Sequence, residues 1–78
     1  MSGLVAEVRE SLSLPSGPIA RAIRDAANVP RARMAAELGV HEMTVCRWEM
    51  GTRTPTGDLR LAYIRLLREL EEATRLSA

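Results

Sequence analysis

Between positions 41 and 47 the chain sets side chains of four chemistries close together: the imidazole of His41, the carboxylate of Glu42, the thioether of Met43 and the guanidinium of Arg47. Three of them match features of a nucleic-acid base edge. An arginine fork pairs with guanine O6 and N7, a carboxylate accepts from the cytosine amino group, and an apolar tip presses on a thymine methyl. Catalysis and metal binding find less support. His41 is the only histidine and Cys46 the only cysteine, and no cysteine or aspartate stands at ligand spacing from His41. It reads better as a turn residue or a phosphate neighbour. No nucleophile–base pair, phosphate-binding glycine loop or carboxylate cluster appears along the chain, so neither an enzymatic activity nor a cofactor is expected.

Two short helical patterns must position these groups. In the first, over 31–38, Met34, Ala35 and Leu38 are the buried positions, and the small Ala35 lets the next helix cross closely. Gly39 supplies the positive φ that ends this helix, and Val40 plugs the turn into the core. The second pattern spans 42–50 and turns Val45 and Trp48 inward. The opposite face then carries Glu42, Met43 and Arg47, with His41 at its start and Cys46 beside them. Two helices joined by so tight a turn form a helix-turn-helix, whose second helix fits a DNA major groove. Cys46 reads as a tolerated small residue on the outer face; a redox switch there is the sharper alternative.

The remaining chain reads as support. Leu4, Val5, Val8 and Leu12 have helical spacing and predict a short N-terminal helix within 1–15. Pro15, Gly17 and Pro18 break the chain, with Pro18 suited to the first turn of the next helix. That helix covers 18–27, with Ile19, Ala20, Ile23 and Ala27 as its inner stripe. Asn28 suits a left-handed helix end, and Pro30 opens the following helix. After Gly51 comes a turn-rich loop. A long helix follows over 58–76, with Asp58 at its start and Leu59, Ala62, Tyr63, Leu66, Leu67, Leu70 and Ala73 along one side. Leu61 and Ile64 fall off that stripe, an excess of apolar surface that suggests a dimer partner. No strand pattern, repeat or low-complexity tract is present. The expectation is an all-α chain forming a single domain over 1–78, a compact bundle of about five helices with its core module at 18–57 and the helix-turn-helix at 31–50.

Length and composition bound this reading. A chain of 78 residues buries only about 60% of its unfolded surface, so its stability margin is modest. No apolar run approaches the ~20 residues of a membrane span and no signal pattern opens the chain, so a soluble, cytoplasmic protein is expected. Net charge is only +1, yet all 11 basic residues are arginine. A GC-rich genome accounts for that preference, so the arginines count only by position.

The run Met34-Ala35, Leu38-Gly39-Val40, Thr44-Val45, Arg47-Trp48-Glu49, Gly51, Arg53 and Pro55 resembles the Cro/CI-type helix-turn-helix proteins, the lambda-repressor-like or XRE class. The likeness covers 18–57 closely and extends loosely into the last helix. Flanking segments look like compact one-domain members from actinobacteria and their phages. The resemblance implies an all-helical fold of about five helices and sequence-specific binding of duplex DNA, usually as a homodimer. It further implies a structural ion pair between Arg24 and Glu49, and a phosphate contact from Arg31, which stands where the family usually carries glutamine. His41, Glu42, Met43 and Arg47 become the base-reading set. Thr44, Thr52, Arg53 and Thr54 become phosphate contacts that fix register. Three residues depart from the family pattern. His41 replaces a better helix cap, Cys46 a common serine, and Glu42 adds negative charge near the phosphates.

Taken together these readings lead to a small dimeric transcriptional repressor, bound to an inverted-repeat operator in a bacterial or phage setting. The alternative is an antitoxin or protein-bridging module that uses the same fold mainly to hold another protein.

Overall fold

Prolines and glycines set the helix boundaries in the computed structural model, which describes residues 3–5 and 14–77. Four helices follow one another: α1 (Gly17–Ala26), α2 (Arg31–Leu38), α3 (Glu42–Met50) and α4 (Gly57–Ser77). Residues 3–5 are helical too, with Leu4 and Val5 exposed. Val8 and Leu12 of the expected N-terminal helix lie outside the described residues.

Pro18 occupies the first turn of α1, where its missing N–H leaves nothing unsatisfied. The helix ends as Asn28 takes φ 58, and the amides of Asn28 and Val29 return to the carbonyls of Asp25 and Arg24 at 3.0 and 3.1 Å. Pro30 precedes α2, its carbonyl accepting from the Arg33 and Met34 amides. Gly39, at φ 70 and ψ 30, ends α2, and the Val40 amide closes the turn on the Ala35 carbonyl at 3.0 Å. A residue with a Cβ pays a steric penalty in that region, which is why glycine stands there. Gly51 stops α3 in the same way.

All four helices feed one core. Ala20 and Ile23 come from α1, Met34 and Ala35 from α2, Val45 and Trp48 from α3, and Tyr63 and Leu67 from α4. Leu14, Val29, Leu38, Val40, Leu59, Leu66 and Leu70 pack around them. The radius of gyration of 12.4 Å is close to the roughly 11.5 Å of a compact chain this long. Among the described residues all regular structure is helical, and no helix is long and apolar enough to cross a membrane.

Two expected stripes are corrected. Ile19 is 56% exposed, because α1 turns Ala20, Ile23 and Arg24 inward. The last turns of α4 set Glu71, Thr74 and Arg75 across from Ile19, leaving a groove instead of a packed contact. On α4 the buried arc is centred on Tyr63 and Leu67 and reaches Ile64, only 1% exposed, while Ala62 and Ala73 fall at its open edge. Ile64 is therefore interior, not spare surface, because α4 is covered over a wider arc than one stripe.

Gly17 has a role that its neighbouring prolines conceal. A Cβ there would overlap the backbone carbonyls of Glu49 and Trp48, so the start of α1 can meet the end of α3 only through a glycine. Backbone cannot step aside as a side-chain tip can. Gly17→Ala is expected to lower stability by about 1–3 kcal/mol, as overpacked positions do. Urea unfolding measures it, and an unchanged midpoint would mean that the two helix ends do not touch.

Candidate nucleic-acid interface

α3 is two-sided. Val45, Trp48 and Glu49 are buried, whereas Glu42, Met43, Arg47 and Met50 are exposed and Thr44 and Cys46 are half-buried. His41, just ahead of the helix, is exposed as well. The structure thus leaves all four residues singled out for base contact exposed, three of them on α3 and His41 just ahead of it. Among the described residues no ion pair engages Glu42 or Arg47, so both charges stand free of the fold. Glu42 lies in the first turn of α3, where a carboxylate is favoured by the helix dipole.

His41 was expected at the cap position of this helix, as a weaker cap than serine, threonine or aspartate. It caps α3: its backbone is extended (φ −74, ψ 147) and its Nδ1 accepts a hydrogen bond from the Met43 amide at 3.0 Å. Rankings of helix caps favour side-chain oxygens, but a neutral imidazole nitrogen is an equally real acceptor.

The candidates for phosphate contact divide into two groups. Thr52, Arg53 and Thr54 are exposed just beyond α3, with the Thr52 hydroxyl and amide turned back onto the Arg47 carbonyl at 3.4 and 3.0 Å. Thr44 is half-buried. Arg31, at the start of α2, sets its Nε 3.3 Å from Glu49 Oε1, with the side chain 32% exposed. That Nε is buried without a well-aligned hydrogen bond, so the contact is an ion pair, not a fork. Arg31 was expected at a phosphate; in the free chain it leans on Glu49.

Glu49 is the junction. Arg24 donates Nε to its Oε2 at 2.7 Å and Nη2 to its Oε1 at 3.1 Å. The third nitrogen, Nη1, donates to the Val29 carbonyl at 2.8 Å and lies 3.4 Å from Asp25. Both side chains are buried. The hydrogen bond to Glu49 raises the Arg24 pKa above its ordinary value, outweighing the opposite pull of burial, and the charges of Glu49 and Asp25 add to it. Trp48 and Tyr63 stack beside this cluster with ring centroids 4.7 Å apart and planes tilted by 45°. The Tyr63 hydroxyl is buried and has no hydrogen-bond partner.

Sequence reasoning missed Arg31 as a second arm on Glu49, the Gly17 contact and the Cys46–Met50 pair. In that pair the thiol lies 3.7 Å from the thioether sulfur; the spacing of four residues on a helix was its available signal. Among the described residues no three His, Cys, Asp or Glu side chains gather as metal ligands would. Comparison with protein-family models, curated proteins and solved structures gives no match to this chain.

Two measurements probe the cluster. Glu49→Ala strands a buried guanidinium and is expected to cost about 3–5 kcal/mol. Arg33→Ala, which removes only an exposed pair with Glu37 at 3.9 Å, is expected to cost less than about 1 kcal/mol. Equal losses in urea unfolding would refute the assignment. Tyr63 supplies an alkaline signature. Burial first and the Glu49 charge second push its phenol up to about 12, with Arg24 opposing. Ionisation is then harder in the folded chain than in the unfolded one. Stability from this group is whole below about pH 10 and is lost as pH rises towards about 12. Since Tyr63 is the only tyrosine, phenolate absorbance reads it alone. Tyr63→Phe is expected to abolish the alkaline loss at little cost at neutral pH, because that hydroxyl has no partner.

Proposed function

We propose that the chain is a sequence-specific binder of duplex DNA, acting as a small dimeric repressor. In this reading α2, the Gly39 turn and α3 work as a helix-turn-helix, and α3 lies in the major groove. The observation that carries it is the division of α3. Its inner side is held by Val45, Trp48 and the Glu49 cluster, while its outer side offers His41, Glu42, Met43 and Arg47 with both charges free. A surface helix that served only the fold would have little use for an unpaired guanidinium flanked by an apolar thioether and a carboxylate.

The roles follow from donor and acceptor chemistry. Arg47 presents a fork that suits guanine O6 and N7, Glu42 an acceptor for a cytosine amino group, and Met43 an apolar tip for a thymine methyl. Thr52, Arg53 and Thr54, at the open end of α3, fit phosphates and set the register. Arg31 joins them if its side chain swings outward from Glu49. One such helix reads a short half-site, so two copies on an inverted repeat, about 34 Å apart along the duplex, give the usable affinity. Occupying a promoter is then enough to repress it.

A second reading, an antitoxin or protein-bridging module, draws on the exposed Ile19 and Leu76 (56% and 78% exposed) near the groove between α1 and the end of α4. The two readings separate on Arg47. Arg47→Ala is expected to leave unfolding unchanged, because the side chain is exposed. It is also expected to reduce preference for the selected site about 10–100-fold, the worth of a bidentate guanine pair. The wild-type affinity should fall steeply with salt. Site preference untouched by Arg47→Ala would remove the base-reading role.

A further inference from the structure

The helix-capping bond of His41 decides which hydrogen-bonding character the ring shows to its surroundings. Nδ1 accepts from the Met43 amide at 3.0 Å. A ring nitrogen that accepts a hydrogen bond carries no proton, so the proton of the neutral imidazole is on Nε2. Nε2 is separated from Nδ1 by Cε1, so its N–H diverges from the capping bond and cannot serve the same backbone amide. The residue is exposed and no partner for Nε2 is found among the described residues.

We infer that His41 is an obligate hydrogen-bond donor to a base edge, with its polarity set by its own capping bond. The inference rests on the DNA-reading role of α3 proposed above. Serine and aspartate cap at least as well and read differently. A serine hydroxyl both donates and accepts, and an aspartate only accepts. Capped histidine only donates. Guanine and thymine offer only hydrogen-bond acceptors in the major groove and adenine offers its N7, but cytosine offers only the donating N4 amino group. His41 therefore admits guanine, adenine or thymine at the base it faces and rejects cytosine. Beside it, ionised Glu42 only accepts. The first exposed turn of the reading helix thus carries a donor set by its capping bond next to a carboxylate acceptor.

The test uses two variants that keep a capping oxygen. Duplexes bound by the wild type, His41→Ser and His41→Asp are selected from a random pool. The wild type is expected to disfavour cytosine at one position of each half-site by about five- to tenfold, the worth of a hydrogen bond made against one left unmade. His41→Ser is expected to flatten that position alone, and His41→Asp to reverse it towards cytosine, with both variants unfolding at a temperature no lower than the wild type. A phosphate contact by His41 would instead weaken all sequences alike, and that outcome overturns the inference. So does an unchanged preference in both variants. A wild type that selects no sequence would overturn the DNA-reading function itself, whereas a wild type that selects a site shared by both variants overturns only the role of His41. Nitrogen NMR adds a DNA-free arm. With a single histidine in the chain, the one imidazole, in its neutral form, is expected to show a bare Nδ1 and a protonated Nε2. The reverse tautomer would refute the inference.

Discussion

The Glu49 carboxylate is held by arginines from two other helices, and the placement of α3 depends on that grip. Arg24 comes from the last turn of α1 and Arg31 from the first turn of α2, so one buried anion ties three helices at a single point. Removing such charges from water costs several kcal/mol per ion. The cost is offset because the Arg24 nitrogens find oxygen partners in Glu49 and the Val29 carbonyl, with Asp25 nearby. The Gly17 contact with the Glu49 and Trp48 carbonyls adds a second restraint at the same end of α3. Together they fix how deep the helix sits and how it is rotated. Rotation is the variable that decides which side chains face out.

A small apolar core alone would hold that rotation less firmly. Phenylalanine is absent and only one tryptophan and one tyrosine are available, so much of the interior is alanine, isoleucine, methionine, valine and leucine. Dispersion contacts among such groups are individually weak and survive small slides or turns of a helix. A two-point hydrogen bond between a guanidinium and a carboxylate does not survive them, because both bonds lengthen at once. The partnerless Tyr63 hydroxyl shows where this arrangement carries a defect. The ring packs against Trp48, and its hydroxyl is carried into the interior without a hydrogen bond to any described residue.

Some of this was legible in the residues and some was not, for physical reasons. Helix boundaries were readable because Pro18, Asn28, Pro30, Gly39 and Gly51 act locally, each through its own backbone preference. The pairing of Arg24 with Glu49 was not: no periodicity links positions 25 residues apart, and only the family resemblance suggested it. Arg31 was assigned to a phosphate because it stands where the resembled family usually carries glutamine, whereas its proximity to Glu49 depends on how α2 and α3 cross. Gly17 looked like freedom beside two prolines and is in fact a close approach. The α4 stripe was centred by counting leucines and alanines. The covered arc is rotated from that count because α1, α2 and Trp48 of α3 all reach this helix. The exposure of the four base-reading candidates followed from two inward residues, Val45 and Trp48, since on a helix the buried side determines the open one.

That separation of sides has a consequence for how such a chain can change. Glu42, Met43 and Arg47 are exposed and are not among the buried residues that hold α3 in place, so replacing them alters the outward chemistry with little interior penalty, and surface substitutions of that kind usually move stability by less than about 0.5 kcal/mol. Val45, Trp48 and Glu49 have the opposite property: each change there moves the whole helix and so every outward residue together. His41 belongs to both classes. Its Nδ1 completes the start of α3 while its Nε2 stays open to solvent, so a substitution there alters a helix end and an outward hydrogen-bonding group at once. Only residues with an acceptor close to the backbone satisfy the first demand, and within that short set the outward polarity differs from one to the next. The capping requirement therefore narrows what can be presented at the first exposed position of the helix to a few side chains, among which a histidine capping through Nδ1 presents an N–H and no acceptor.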